Sequence, residues 1–362
     1  MGIEFSKQRW NQVIRDAELW WAGGLGRPLI QLRLDGRDPG RPEPGLAPTW
    51  FTAHYGLDTP VDQILDRAEY DLSKERYLGD AFPCWFPNFG PGVVAAFLGA
   101  QLSCGPDTVW FHPKEVLEPG QLRLDYRADN PWYQRVREIF AASARRWDGL
   151  VQTSMTDLGG TLDILASFRP SELLPMDLYE SPEEVRRLTW DIHRHWLRYY
   201  EELDSLIRPT NPGYTSWTPV FSSSSSYMLQ CDFCFMIGPA QFREFAYPEL
   251  ADSFKRFKSP FYHLDGVGEL NHLDALLADP NLKGIQWIPG ASQPGVARWP
   301  EVYKKILKAG KRIQLFGSLE EFDEIARQIG VMENFVFIAT EPIEREKECV
   351  RILEKYGAAR PD

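Results

Sequence analysis

The sequence predicts an α/β chain built as a single (β/α)8 TIM barrel, with an N-terminal extension and an inserted β-hairpin. Three observations carry that expectation. From residue 227 onward, short runs rich in Val, Ile and Phe alternate with amphipathic segments of helical length. The runs are apolar along their whole length, which is how parallel strands buried on both faces read. With three further runs in the first half the strands number eight, which favours a closed barrel over its rival, a doubly wound open sheet.

The elements follow in order. Residues 1–28 are expected to form a helical segment before the first strand, Leu29–Leu34. Residues 36–70 are rich in Pro and Gly and predict an irregular excursion over the surface. Ala81–Phe86 and Leu150–Met155 are the next strands, and 108–126 between them reads as a hairpin with Pro119-Gly120 at its turn. Glu183–Ile207 has apolar residues at helical spacing and predicts a long helix, while the serines of Ser222–Ser226 predict a flexible loop. Five strand–helix units complete the chain: Tyr227–Phe235 with Pro239–Phe257, Phe261–Leu264 with Glu269–Leu277, Gly284–Ile288 with Pro300–Leu307, Arg312–Phe316 with Leu319–Gln328, and Phe335–Ala339 with Ile343–Tyr356. Pro239 suits a first helical turn, where its missing N–H is not needed. The 362 residues read as one domain, since barrels often run well past 250 residues.

Composition excludes several classes of function. A hydrophobic content of 43 % with 13 % aromatic residues suits a globular core and argues against disorder. A formal net charge of −11 argues against nucleic acid as a partner, because a binder needs a basic face to replace phosphate counterions. The five cysteines, Cys84, Cys104, Cys231, Cys234 and Cys349, are odd in number and irregular in spacing, a poor disulfide framework. The first residues lack the basic start and apolar run of a signal peptide, and no stretch nears the ~18 apolar residues of a membrane span. A cytoplasmic protein acting on a small molecule, with no membrane partner, is the expectation.

In a barrel the chemistry sits where strands end and βα loops converge. His263 and Asp265 close the strand beginning at Phe261; being two apart, they face the same side of extended backbone. A His with a carboxylate can bind a metal or share proton transfer. Asn88, Asp157, Gln286 with Trp287, and Thr340 with Glu341 also lie at strand ends. Asp232, Asp157, Tyr262 and Asn88 are the catalytic candidates; Cys231, Gln286, Trp287 and Tyr227 are the substrate-binding ones. Cys231 and Cys234 have Cys-x-x-Cys spacing, but thiols three apart on a strand diverge, and no second pair exists to complete a four-cysteine site. Cys234 is therefore expected in the core. The remaining histidines, at 54, 112, 193, 195 and 272, fall in loops or helices, with His193 and His195 at the wrong spacing to share a helical face.

The segment Asp232-Phe233, Gly238 to Phe245 and Pro248 resembles a segment of the uroporphyrinogen-decarboxylase superfamily. His263-Leu264-Asp265-Gly266 resembles that superfamily's "H-x-(D/N/C)-G" strand end, Gly159 to Leu162 its "G-G-P-x-T" turn, and Phe89 to Gly92 its Gly-Pro loop. The likeness spans about residues 80–350 and implies a TIM barrel of one of two branches, porphyrinogen decarboxylases or methyltransferases serving corrinoid proteins. The decarboxylase branch carries an "R-Q-A-G-R" segment, an Asp in "F-S-D" and a late His. This chain has Leu32 to Arg37, Phe86-Pro87-Asn88 and Ala339-Thr340-Glu341 in their places. The methyltransferase branch binds zinc through "H-x-C" and a late Cys; here the resemblance implies His263, Asp265 and Glu341 as an N/O ligand set. Such a set suits polarising an ether oxygen. The expected activity is transfer of a methyl group from a small, O-methylated substrate to a corrinoid carried by a partner protein, with zinc as cofactor. A metal-free decarboxylase or lyase acting on a small acid, or a non-catalytic binding barrel, are the alternatives.

A neutral Asn88 cannot pair with pyrrole N–H groups as a carboxylate would. The chain should therefore not turn over uroporphyrinogen, and coproporphyrinogen detected as product by chromatography would overturn the choice of branch.

Overall fold

The computed structural model describes residues 2–170 and 172–360. Eleven strands lie among them: β1 Leu29–Asp35, β2 Glu75–Gly79, β3 Cys84–Trp85, β4 Gln101–Cys104, β5 Val109–His112, β6 Gln152–Thr153, β7 Met228–Leu229, β8 Phe261–Asp265, β9 Gly284–Ile288, β10 Arg312–Phe316 and β11 Phe335–Pro342. Seven form one sheet in the order β2-β1-β11-β10-β9-β8-β7. All its neighbours are parallel except β2, which runs antiparallel to β1. The pair β3–β6 is parallel and forms a separate ladder, and β4–β5 is a hairpin.

The strand period of two sorts the side chains into two cores. Ile30, Leu32, Tyr262, Leu264, Ile285, Trp287, Ile313 and Leu315 join the large cluster shared with the helices. Leu29, Met228, Phe261, Val336 and Ile338 take the opposite face and form a second cluster with Trp20. Trp20 and Trp21 end the helix Lys7–Trp21. Arg312 at the start of β10 holds them there, its guanidinium 5.0 and 5.1 Å from the two ring centroids and donating to the Trp20 carbonyl at 2.9 Å. This end of the sheet is plugged by aromatic rings, so the other end, at the carboxyl termini of the strands, is left for polar groups.

Four expectations are corrected. Residues 36–70 are not wholly irregular: a 3-10 turn spans Thr52–Tyr55, and the helix Val61–Ser73 begins inside the range. The hairpin is β4–β5, earlier than 108–126. It turns through Gly105, whose N–H donates to Thr108 O at 2.8 Å, while Pro119–Gln121 is a 3-10 turn closed by Glu118 and Gln121. Extended pairing over Tyr227–Phe235 stops at Leu229, and Asp232–Met236 is a 3-10 turn. The cause is a carboxylate, Asp163, which accepts the Asp232 and Phe233 N–H groups and draws them into a turn. Finally, the helix expected over Pro239–Phe257 contains a π-helical turn, Phe242–Ala246. Pro248 follows it and has no N–H to give the regular i→i−4 bond. The strands at 261, 284, 312 and 335 form where the alternation predicts, as do the helices Pro300–Lys308 and Leu319–Ile329. The other two helical segments open with 3-10 turns, Val267–His272 and Ile343–Arg345, before the α-helices Leu273–Ala278 and Glu346–Lys355.

Among the described residues no helix is long and apolar enough to cross a membrane.

The helices Pro182–Ile207 and Tyr247–Arg256 are joined by a buried charge. His193 lies 3.3 Å from Glu249 and 2.9 Å from Asp252. Burial opposes protonation of the ring, but Glu249 and then Asp252 outweigh it and raise its pKa. A raised imidazole pKa stabilises the fold below about pH 6.5, and that contribution is lost as pH rises through the folded value. His193→Ala should cost roughly 3 kcal/mol at about pH 6 and clearly less at about pH 9 in denaturant unfolding. Equal losses at both would mean that the ring acts by packing alone.

Candidate active site

β8 supplies the first two polar groups at the open end. His263 and Asp265 share the face opposite Tyr262 and Leu264. His263 pairs in register with Gln286 of β9, and its Nδ1–H donates to Gln286 Oε1. That bond leaves Nε2 without a proton and turned toward Asp265 Oδ2, 3.8 Å away. Burial lowers the His263 pKa against the pull of Asp265, so the ring is neutral, the form that ligates a metal.

Asp232 reaches the same point from the turn after β7. Ligand atoms of Asp232, His263 and Asp265 all lie within 4.8 Å of one another. The turn is held by Asp163, in the first turn of the helix Thr161–Ala166, which accepts the Asp232 N–H at 3.1 Å and the Phe233 N–H at 2.7 Å. This approach requires Gly160, since a Cβ there would collide with the Asp163 carboxylate and the Gln230 carbonyl.

The electrostatics are those of acids crowded together. Asp232 is exposed as a residue, but its carboxyl group loses part of its hydration to the surrounding protein; that desolvation, and then the nearby Asp265, raise its pKa. Burial and Asp232 raise Asp163 in turn, and the same two causes push Asp157 up to about 8. Glu269, wholly buried, is held well above the carboxylate range by burial and Asp232; it accepts the Tyr262 hydroxyl at 3.0 Å. A divalent cation among Asp232, His263 and Asp265 would relieve this repulsion. Two carboxylates and a neutral imidazole are donors that zinc would accept.

Beside the cluster is a cavity of about 280 Å3. Trp50, Trp85, Trp217 and Phe316 form aromatic walls, and Arg33 and Ser154 add polar groups. Trp217 also stands edge-on to His263, with ring centroids 5.7 Å apart, so the cavity and the cluster share a wall.

The structure brings together only part of what the sequence singled out. Glu341 is a correction: it follows Thr340 on β11, so its side chain takes the opposite face, and it binds Arg345 at 2.8 Å instead of joining His263. Asp232 stands where Glu341 was expected. Tyr262 and Trp287 face the helices; both are fully buried, Trp287 against Trp299 at 5.3 Å. Tyr227 is buried too, accepting the Leu158 N–H through its hydroxyl at 2.9 Å. Cys231 is fully buried behind Asp232. Asn88 caps its own loop, accepting the Gly90 N–H at 3.0 Å, and Asp157 accepts that of Gly159 at 2.9 Å. Gln286, a substrate-binding candidate, instead orients His263. Asp163 and Trp217 were missed. Asp163 follows the Gly159-Gly160-Thr161-Leu162 turn closely and could have been found there, whereas Trp217 lies in an irregular stretch with no pattern to mark it.

A solved structure of a methyltransferase from Methanosarcina mazei is similar to this chain, with a TM-score of 0.61 and 11 % sequence identity, over 95 % of this chain and 99 % of that one. At this identity the likeness shows the fold alone. No family model matches the chain. No curated protein matches it either.

Because the Asp157 carboxyl is raised to about 8, it stabilises the fold fully below its unfolded value, about 4. The contribution is lost progressively as pH rises from there through about 8. In chelator-treated protein, Asp157→Asn should flatten the pH dependence of denaturant unfolding over that window. An unchanged slope would place the proton elsewhere in the cluster.

Proposed function

We propose that this chain is a methyltransferase-like enzyme of the uroporphyrinogen-decarboxylase superfamily, acting on a small O-methylated substrate and passing the methyl group to a corrinoid protein. On this reading the two parallel ladders are parts of one eight-stranded barrel, made of β1, β3, β6, β7, β8, β9, β10 and β11. The single cluster that gathers side chains from β1, β7, β8 and β11 supports closure. The observation that carries the functional reading is the convergence of Asp232, His263 and Asp265 beside an aromatic cavity.

Asp232, His263 and Asp265 would hold zinc, with Gln286 fixing the imidazole tautomer. Zinc in an N/O site supplies Lewis acidity toward an ether oxygen. The aromatic walls and Arg33 would bind the body of the substrate and keep water from it. As the methyl–oxygen bond breaks, the oxygen needs a proton, and Asp157, protonated to about pH 8, is a store for it. That same protonated acid favours, as a second reading, a metal-free lyase acting on a small acid.

The test is metal content and turnover together. Zinc should copurify with the protein, at close to one ion per chain. His263→Ala should lose zinc and activity, and Asp232→Asn should weaken zinc binding about tenfold or more. Glu341→Gln should leave zinc content unchanged. Turnover would be read as methylcobalamin formed from cob(I)alamin and a panel of small O-methyl ethers. A protein that carries no zinc and is indifferent to chelators, yet turns over a small acid, belongs to the lyase reading instead.

A further inference from the structure

The turn that carries Asp232 also carries two thiols. Extended backbone would point Cys231 and Cys234 apart; the observed 3-10 turn does the reverse. Cys234 N–H donates to Cys231 O at 2.9 Å, and the two Sγ atoms lie 3.0 Å apart. Both side chains are fully buried. Cys84, by contrast, has hydroxyl partners, Ser154 at 3.1 Å and Thr215 at 3.8 Å. A disulfide spans about 2.05 Å, so bonding Cys231 to Cys234 asks for roughly one ångström of closure.

We propose that Cys231 and Cys234 form a reversible disulfide whose closure withdraws Asp232 from His263 and Asp265. The direction of movement follows from packing. Cys231 is wedged against Gly160, where even a Cβ would be crowded by its Cα, so the shift falls on residues 232–234. Those residues hold the two amides anchored on Asp163. The next residue, Phe235, covers Gly266 and Gly268 directly after β8, which ties the turn to the strand end bearing Asp265. In the oxidation, the two thiols lose two electrons and two protons, an S–S bond forms, and hydrogen peroxide is reduced to two waters. A small dithiol reverses it by thiol–disulfide exchange and is itself oxidised. Because both sulfurs are buried, the reaction proceeds through local opening of the turn, whose outer residues Phe235 and Met236 are exposed.

Bond formation stands on the sulfur geometry alone; the effect on the metal rests on the function proposed above. The experiment treats the whole protein with hydrogen peroxide, alkylates it under denaturing conditions, and maps the peptides. The parent should lose two of its five alkylatable thiols, and the peptide containing Cys231 and Cys234 should carry no alkyl group and be two hydrogen atoms lighter than its unalkylated dithiol form. Cys234→Ala should show neither change. Amide exchange at Asp232 and Phe233 should quicken on oxidation and recover with dithiothreitol. Zinc affinity should fall about ten- to a hundredfold and recover likewise. Five free thiols after treatment, or bonds scattered between chains, would overturn the disulfide. A disulfide with unchanged exchange at both amides would overturn the withdrawal of Asp232. Quickened exchange in a protein that binds no zinc even when reduced would uphold the switch and overturn only the metal reading.

Discussion

A parallel sheet has no face to give to water. In this chain one face is taken by the helices through Tyr262, Leu264, Ile285 and Trp287, and the other by an apolar cluster on Phe261, Met228 and Leu29 capped by Trp20. Helix Lys7–Trp21 and Arg312 seal the amino ends of the strands. Polar chemistry is thereby confined to the carboxyl ends, where loops can supply hydrogen-bond partners. His263 and Asp265 are the last residues of β8 on the face opposite the helices, while Phe261, two places earlier on the same face, belongs to the apolar plug.

That confinement has an electrostatic cost. Asp157, Asp163 and Glu269 are raised by burial first and by Asp232 next, and Asp232 by desolvation and then by Asp265. Crowding acids without a nearby cation does not stabilise a fold. What the cluster gains is position. Asp163 spends both oxygens on backbone N–H groups of the turn, which fixes where Asp232 projects. Gln286 spends its oxygen on His263, which fixes the nitrogen that Asp265 faces. Neutral His263, orienting amide and unscreened carboxylates together form an arrangement that only a cation, or protons, can balance.

How much was legible follows from the period of the backbone. His263 and Asp265 were found because two-residue spacing on a strand is unambiguous about facing. The same rule, applied to Glu341, needed the phase of β11, and Thr340 rather than Glu341 turns out to face Arg33, at 3.1 Å. Facing also misassigned Tyr262 and Trp287: they adjoin His263 and Gln286 in sequence, and for that reason take the opposite face, toward the helices. The turn at Asp232–Met236 was illegible because its cause, Asp163, lies about seventy residues away. Reading that segment as strand made Cys231 and Cys234 diverge, and a tertiary hydrogen bond, not local propensity, reversed it. Trp217 left no trace, because a lone aromatic in an irregular stretch carries no period.

The three converging groups are not held alike. His263 and Asp265 sit on a strand paired along its whole length with β9, and neither can move without breaking the ladder. Asp232 sits on a turn that owes its shape to one carboxylate and to a glycine that lets the carboxylate approach. A site with two groups on a rigid strand and one on an adjustable turn keeps its location fixed while its completeness varies. Shifting the turn leaves the fold intact, because Met228 and Leu229 before it remain paired with β8. A perturbation of the segment from Cys231 to Met236 therefore acts first on Asp232, and reaches Asp265 only through Phe235 against Gly266 and Gly268, while the β8–β9 ladder stays paired.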